Sequence, residues 1–161
     1  MKRSPDTQRV VDRMKPGVLS LEGFLGADAR PLEEILDADA SAAARLNATH
    51  AELAAALRRV FEKARAGQGT DIPLGGHVRV RYDEQMGRIP CPFGAPSAGS
   101  GSHGCGTFQK GEVTLVDAAG RVLRFSALSV HLIAEHGFYG GRDSRYRIDP
   151  AEVAAAAPLL G

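Results

Sequence analysis

Residues 111–137, GEVTLVDAAGRVLRFSALSVHLIAEHG, decide the fold class of this 161-residue chain. The runs EVTLV and RVLRFS are apolar and β-branched, and Asp-Ala-Ala-Gly at 117–120 separates them, so the spacing predicts two strands joined by a turn. Ser126 then has the side chain of a helix N-cap, and Gly137 suits the left-handed residue that ends a helix, which places a helix between them through His136. A hairpin running straight into a helix belongs to a segregated α+β arrangement rather than to a parallel, doubly wound sheet.

The flanking sequence agrees. Upstream, HVRVRYDE alternates: Val78, Val80 and Tyr82 face one way and His77, Arg79 and Arg81 the other, as in a half-buried strand with a basic outer face. Further upstream the pattern is helical. Pro5 opens a short segment that Pro16 and Gly17 stop, and Pro31 precedes a stripe of Leu32, Ile35 and Leu36. Thr49 and Glu52 match a capping box for a helix carrying Leu53, Leu57, Val60, Phe61 and Ala64, which Gly67 ends. Beyond residue 137, FYGGRDSRYRID reads as a loop, and Asp149 with Pro150 starts a last Ala-rich helix. The expected architecture is one α+β domain over 1–161. An N-terminal helical segment (1–67) packs with a small antiparallel sheet in a β-rich part (77–161), followed by a short helix and a C-terminal helix.

Apolar residues make up 43% and charged residues 24%, a globular composition with enough chain to form a core without disulfides. The basic N-terminus is not followed by an apolar run, and no stretch is long enough to span a bilayer, so a cytoplasmic protein is expected. Net charge is +1, with 9 basic against 6 acidic residues over 77–147, an excess too small for a nucleic-acid signature.

The chain has two cysteines, Cys91 and Cys105, in GRIPCPFGAPSAGSGSHGCGTFQKG, a stretch so rich in Gly, Pro and Ser that a long loop is expected there. In a reducing compartment such a pair is free, metal-bound or redox-active rather than a structural bridge. Zinc prefers about four thiolate and imidazole ligands in a tetrahedron. Cys91, Cys105, His131 and His136 supply such a set, with His103 and Glu135 as alternates, and four protein ligands imply a closed, structural site. On an ideal helix, residues five apart are rotated by roughly 140°. His131 and His136 are therefore expected to share a metal only if the last turn loosens, while Glu135 is the aligned neighbour of His131.

The dozen residues FSALSVHLIAEH, with Phe and Leu ahead of two histidines at the end of a short helix after a hairpin, resemble the helical half of a Cys2His2 zinc finger. That resemblance implies zinc held by both imidazoles. The cysteine half departs from the family pattern, because thirteen residues separate Cys91 from Cys105 and both precede the hairpin.

Other readings of the same residues are a hydrogen-bonded interior His131, a His136 stabilised at a helix C-terminus, and buried apolar cysteines. A catalytic reading makes the protein a small hydrolase or thiol enzyme, with Cys91 as nucleophile and His131 or His136 as base, or with an open zinc site. GAPSAGSGSHGCG lacks the lysine of a phosphate-binding P-loop and has no following helix. Arg142, Arg145 and Arg147 with Tyr139 and Tyr146 form the best candidate surface for an anion, unless nearby carboxylates pair with the arginines. The expectation is a small binding or regulatory module with a structural zinc, whose partner is a protein or small anionic ligand rather than nucleic acid or a membrane.

Overall fold

The computed structural model describes residues 5–94 and 105–156. It has the α+β class expected, with five helices, a four-stranded sheet and a separate two-stranded ribbon. Three helices come first: α1 (Pro5–Arg13), α2 (Leu32–Arg45) and α3 (His50–Ala66). The strands follow as β1 (Ile72–Gly75), β2 (Val78–Asp83), β3 (Arg88–Pro90), β4 (Thr107–Gln109), β5 (Glu112–Val116) and β6 (Val122–Ser126), and then α4 (Ala127–His136) and α5 (Pro150–Ala156). Among the described residues no helix is long and apolar enough to cross a membrane.

Local chemistry sets the helix ends. The Thr49 hydroxyl accepts from the Glu52 backbone N–H, and the Glu52 carboxylate accepts from the Thr49 N–H, which completes the capping box of α3. Ser126 caps α4, with Ser129 as the reciprocal partner. Gly137 ends α4 at φ +63°, a conformation that side chains with a Cβ rarely adopt.

The sheet runs β1-β2-β5-β6 and every pairing is antiparallel. Register puts Val80, Leu115 and Leu123 in one row and Tyr82, Val113 and Phe125 in the next. These rows form the inner face, packed with α3, α4 and α5 around Leu57, Val60, Ile133, Ile148 and Val153. The opposite face carries Arg81, Thr114 and Arg124 in one row and Asp83, Glu112 and Ser126 in the next.

Two departures from expectation position the site. The Gly/Pro-rich stretch is not loop throughout: Ile89 pairs with Phe108 and Pro90 with Thr107, so β3 and β4 form a ribbon beyond the β2–β5 pair. β1 also starts at Ile72, ahead of the expected boundary at residue 77, with its register shifted between Pro73 and Gly75. A second core cluster of Val11, Met14, Ile35, Ile89, Cys91, Leu128, Leu132 and Phe138 lies under the ribbon. α4 thus serves two cores, Val130 and Ile133 facing the sheet and Leu128 and Leu132 the ribbon.

Candidate metal centre

The β3–β4 ribbon solves the spacing of the cysteines. Cys91 directly follows β3 and Cys105 lies two residues before β4, so strand pairing brings the two positions together and sets both thiols at the neck of the ribbon. The neck is held by backbone bonds from Gly94 N–H to the Cys91 carbonyl at 3.3 Å and from Cys105 N–H to the Gly94 carbonyl at 3.2 Å. Arg13 of α1 donates to the Pro92 carbonyl at 2.6 Å and ties the same turn to the N-terminal helix.

α4 carries His131 and His136 to this neck. One ligand atom from each of Cys91, Cys105, His131 and His136 lies within 4.8 Å of all the others, so the four can hold a metal ion. The separation of Cys105 Sγ from His136 Nε2 is 3.5 Å. A tetrahedral zinc with ordinary Zn–S and Zn–N bonds has S···N edges of about 3.6 Å. The imidazole centroids are 5.3 Å apart and nearly perpendicular. The helix continues through His136 and the chain turns only at Gly137, so the five-residue step needs no unwound turn ahead of His136.

Aromatic rings fix both imidazoles. Phe93 stacks on His136 at 4.4 Å and 9°, and its edge meets Phe138 at 5.8 Å. Phe108 of β4 covers His131 at 4.6 Å. His131 Nε2 is buried and has no hydrogen-bond partner among the described residues. An orphaned imidazole nitrogen is costly in a protein interior unless a ligand takes its lone pair, and a metal would do so.

Protonation fits the same chemistry. Burial lowers the pKa of His131, with Glu135 opposing, and lowers that of His136, with His131 adding to the effect and Glu135 opposing. Both imidazoles are thereby biased toward the neutral form that coordinates metal. Burial pushes the Cys91 thiol up to about 11, while the backbone N–H groups of Phe93 and Gly94 pull it down and Cys105 raises it. Those N–H groups would stabilise a metal-bound thiolate. Cys91 is fully buried and Cys105 partly so, and neither is in a disulfide.

No protein-family model matches the chain, and comparison with curated proteins and with solved structures gives no match. The site must therefore be read from its own residues. As in a zinc finger, the histidines follow a hairpin, but the β5–β6 hairpin contributes no ligand, and the thiols come from the β3–β4 ribbon instead.

Of the alternates, Glu135 is exposed and does not join the cluster, and His103 lies outside the described residues. The arginine segment divides. Arg147 pairs with Asp39 of α2 and with Asp149, and Arg145 pairs with Glu112 of β5, to which Tyr146 also donates. Tyr139 shares a 2.7 Å hydrogen bond with His50 Nδ1, and Arg142 is exposed. Tyr139, Arg145 and Tyr146 line one cleft, Arg147 is taken up by Asp39 and Asp149, and Arg142 stands apart from both. Glu112, 4% exposed, was missed by sequence reasoning. Its only signal is a carboxylate in an otherwise apolar strand.

Gly94 allows a specific check. A Cβ built there would collide with Cys105 Sγ, so Gly94→Ala must displace one candidate ligand. Displacing the ligand itself should weaken metal binding by at least the roughly 10–100-fold that loss of a ligand-orienting partner typically costs. That loss is expected in competition titrations against a chromophoric zinc chelator.

Proposed function

We propose that Cys91, Cys105, His131 and His136 bind one structural zinc ion and that the protein is a zinc-stapled binding module. The convergence of two thiols and two imidazoles at the ribbon neck carries this reading. Mixed sulfur and nitrogen donors in fourfold number favour zinc, and a full protein ligand set leaves no open position for substrate. Bound there, zinc would supply a cross-link between the ribbon neck and the end of α4, offsetting the entropy of ordering the long connection. The chain's own residues prepare the centre: Phe93 and Phe108 orient the imidazoles, and Arg13 fixes the Cys91 turn.

Nucleophilic use of Cys91 fits less well. A reactive thiol needs exposure and a lowered pKa, whereas Cys91 is fully buried and its pKa is raised. Elemental analysis of protein purified without added chelator should find close to one zinc per chain. Stripping the metal with a strong chelator should lower the melting temperature, and readdition should restore it. Metal-free protein whose stability ignores both treatments would refute the reading.

A further inference from the structure

A cleft on the other side of α4 is not explained by the metal centre. It lies between the 20–24 segment, the start of β5, the first turn of α4 and residues 138–148. Its volume is about 330 Å³, within the range of small-molecule sites, roughly 300–1,000 Å³. Ile89, Leu128, Leu132, Ile133, Phe138 and Ile148 supply an apolar floor. Above it sit Glu112, Ser144, Arg145 and Tyr146.

The lining also holds one further carboxylate, Glu22, and one further ammonium, Lys110, whose formal charges offset each other, so the Glu112 cluster sets the balance. Glu112 accepts from Arg145 Nη2 at 2.8 Å and Nε at 3.3 Å and from the Tyr146 hydroxyl at 2.8 Å, and Arg124 lies 3.5 Å away. Two guanidiniums around one carboxylate leave an excess positive charge. Arg145 still has an Nη1 without a carboxylate partner among the described residues. Burial first, and then the hydrogen bond to Glu112, push the Tyr146 hydroxyl up to about 12, which keeps its one proton on the bond to Glu112. The Ser144 hydroxyl is buried with no hydrogen-bond partner among the described residues.

An acceptor-only head with a single negative charge and an apolar body complements this inventory. We propose that the cleft binds a small amphipathic carboxylic acid, its carboxylate on Arg145 and Ser144 and its hydrocarbon on the floor around Leu132 and Phe138. An alkylamine would bring a third cation to Arg145 and Arg124, and inorganic phosphate would leave the floor unfilled. The proposal gives the binding module its ligand class and rests on that reading for the module, but not on zinc for the ligand chemistry. The two sites share a wall: Ile89, Leu128, Leu132 and Phe138 also belong to the apolar cluster that contains Cys91.

The test is titration of the full chain, with zinc content measured on the same sample, using octanoate, octanol, octylamine and inorganic phosphate, followed by calorimetry and amide NMR. Octanoate should bind tightest and shift amides in residues 20–24, 128–133 and 138–146. Arg145→Gln should weaken octanoate at least tenfold and leave octanol unchanged. Ser144→Ala should weaken octanoate about threefold or more while the melting temperature holds or rises, because it removes a buried hydroxyl that has no partner among the described residues. Unmoved cleft amides in folded protein, tighter binding of octylamine or phosphate, or wild-type octanoate affinity in both variants would overturn the proposal. Octanoate binding by zinc-free protein would support the cleft while rejecting the metal reading, and a zinc-loaded protein that ignores octanoate would do the reverse.

Discussion

Cys91→Ser is expected to abolish stoichiometric zinc binding and to lower the melting temperature by roughly 5–16 °C. Free zinc at 100 to 1,000 times its dissociation constant stabilises a folded state by about 2.7–4.1 kcal/mol. For a chain of this size each kcal/mol corresponds to roughly 2–4 °C. Cys91 is fully buried in the second core cluster, so a serine hydroxyl there also loses packing and buries a polar group. The metal and packing contributions separate by repeating both melts in chelator. The metal part of the difference should vanish there, and only the packing part should persist. An unchanged difference between variant and wild type in chelator would mean that Cys91 is merely a core residue.

Arg147→Met is expected to be at least as damaging, for an unrelated reason. Arg147 donates to both oxygens of Asp39, at 2.6 and 2.8 Å, to the Gly140 carbonyl at 3.0 Å and to Asp149. Asp39 is 5% exposed, on α2. Removing the guanidinium strands a buried carboxylate, a change that typically costs about 3–5 kcal/mol. That is a large share of a total stability of roughly 5–15 kcal/mol. Replacing both partners, as in Asp39→Leu with Arg147→Met, removes the charge along with its partner and should recover most of the loss. Urea denaturation of the two single variants and the double variant measures this. A single Arg147→Met within 1 kcal/mol of wild type would show that the pair does not hold α2 to the 140–149 segment.

Much of the fold was legible because its signals are local. Thr49 with Glu52, Gly67, Ser126, Gly137 and Pro150 mark helix ends through hydrogen bonds or dihedral angles spanning only a few residues. The alternation of Val78, Val80 and Tyr82 fixed the inner face of β2 in the same way. The ribbon was not legible. β3 and β4 are three residues each and are flanked by Pro and Gly, and the paired residues lie far apart in sequence, Ile89 opposite Phe108.

The candidate metal residues were legible by type, whereas their convergence was not. An ideal helix separates His131 from His136 by angle alone, but the site is made by side-chain reach and by the aromatic rings of Phe93 and Phe108. The buried pairings of the arginines were not legible for a related reason. Apart from Asp149 beside Arg147, their partners, Asp39 and Glu112, lie 108 and 33 residues away in sequence. Nothing near Arg145 or Arg147 in sequence marks either pairing. The cleft drew its walls from several separate segments and left no motif.

Zinc K-edge X-ray absorption on the purified protein tests the central claim most directly. The account predicts two sulfur scatterers at about 2.3 Å and two imidazole nitrogens at about 2.0–2.1 Å, in a four-coordinate site. A shell of oxygen and nitrogen alone, or protein that binds no zinc when metal is supplied, would contradict it.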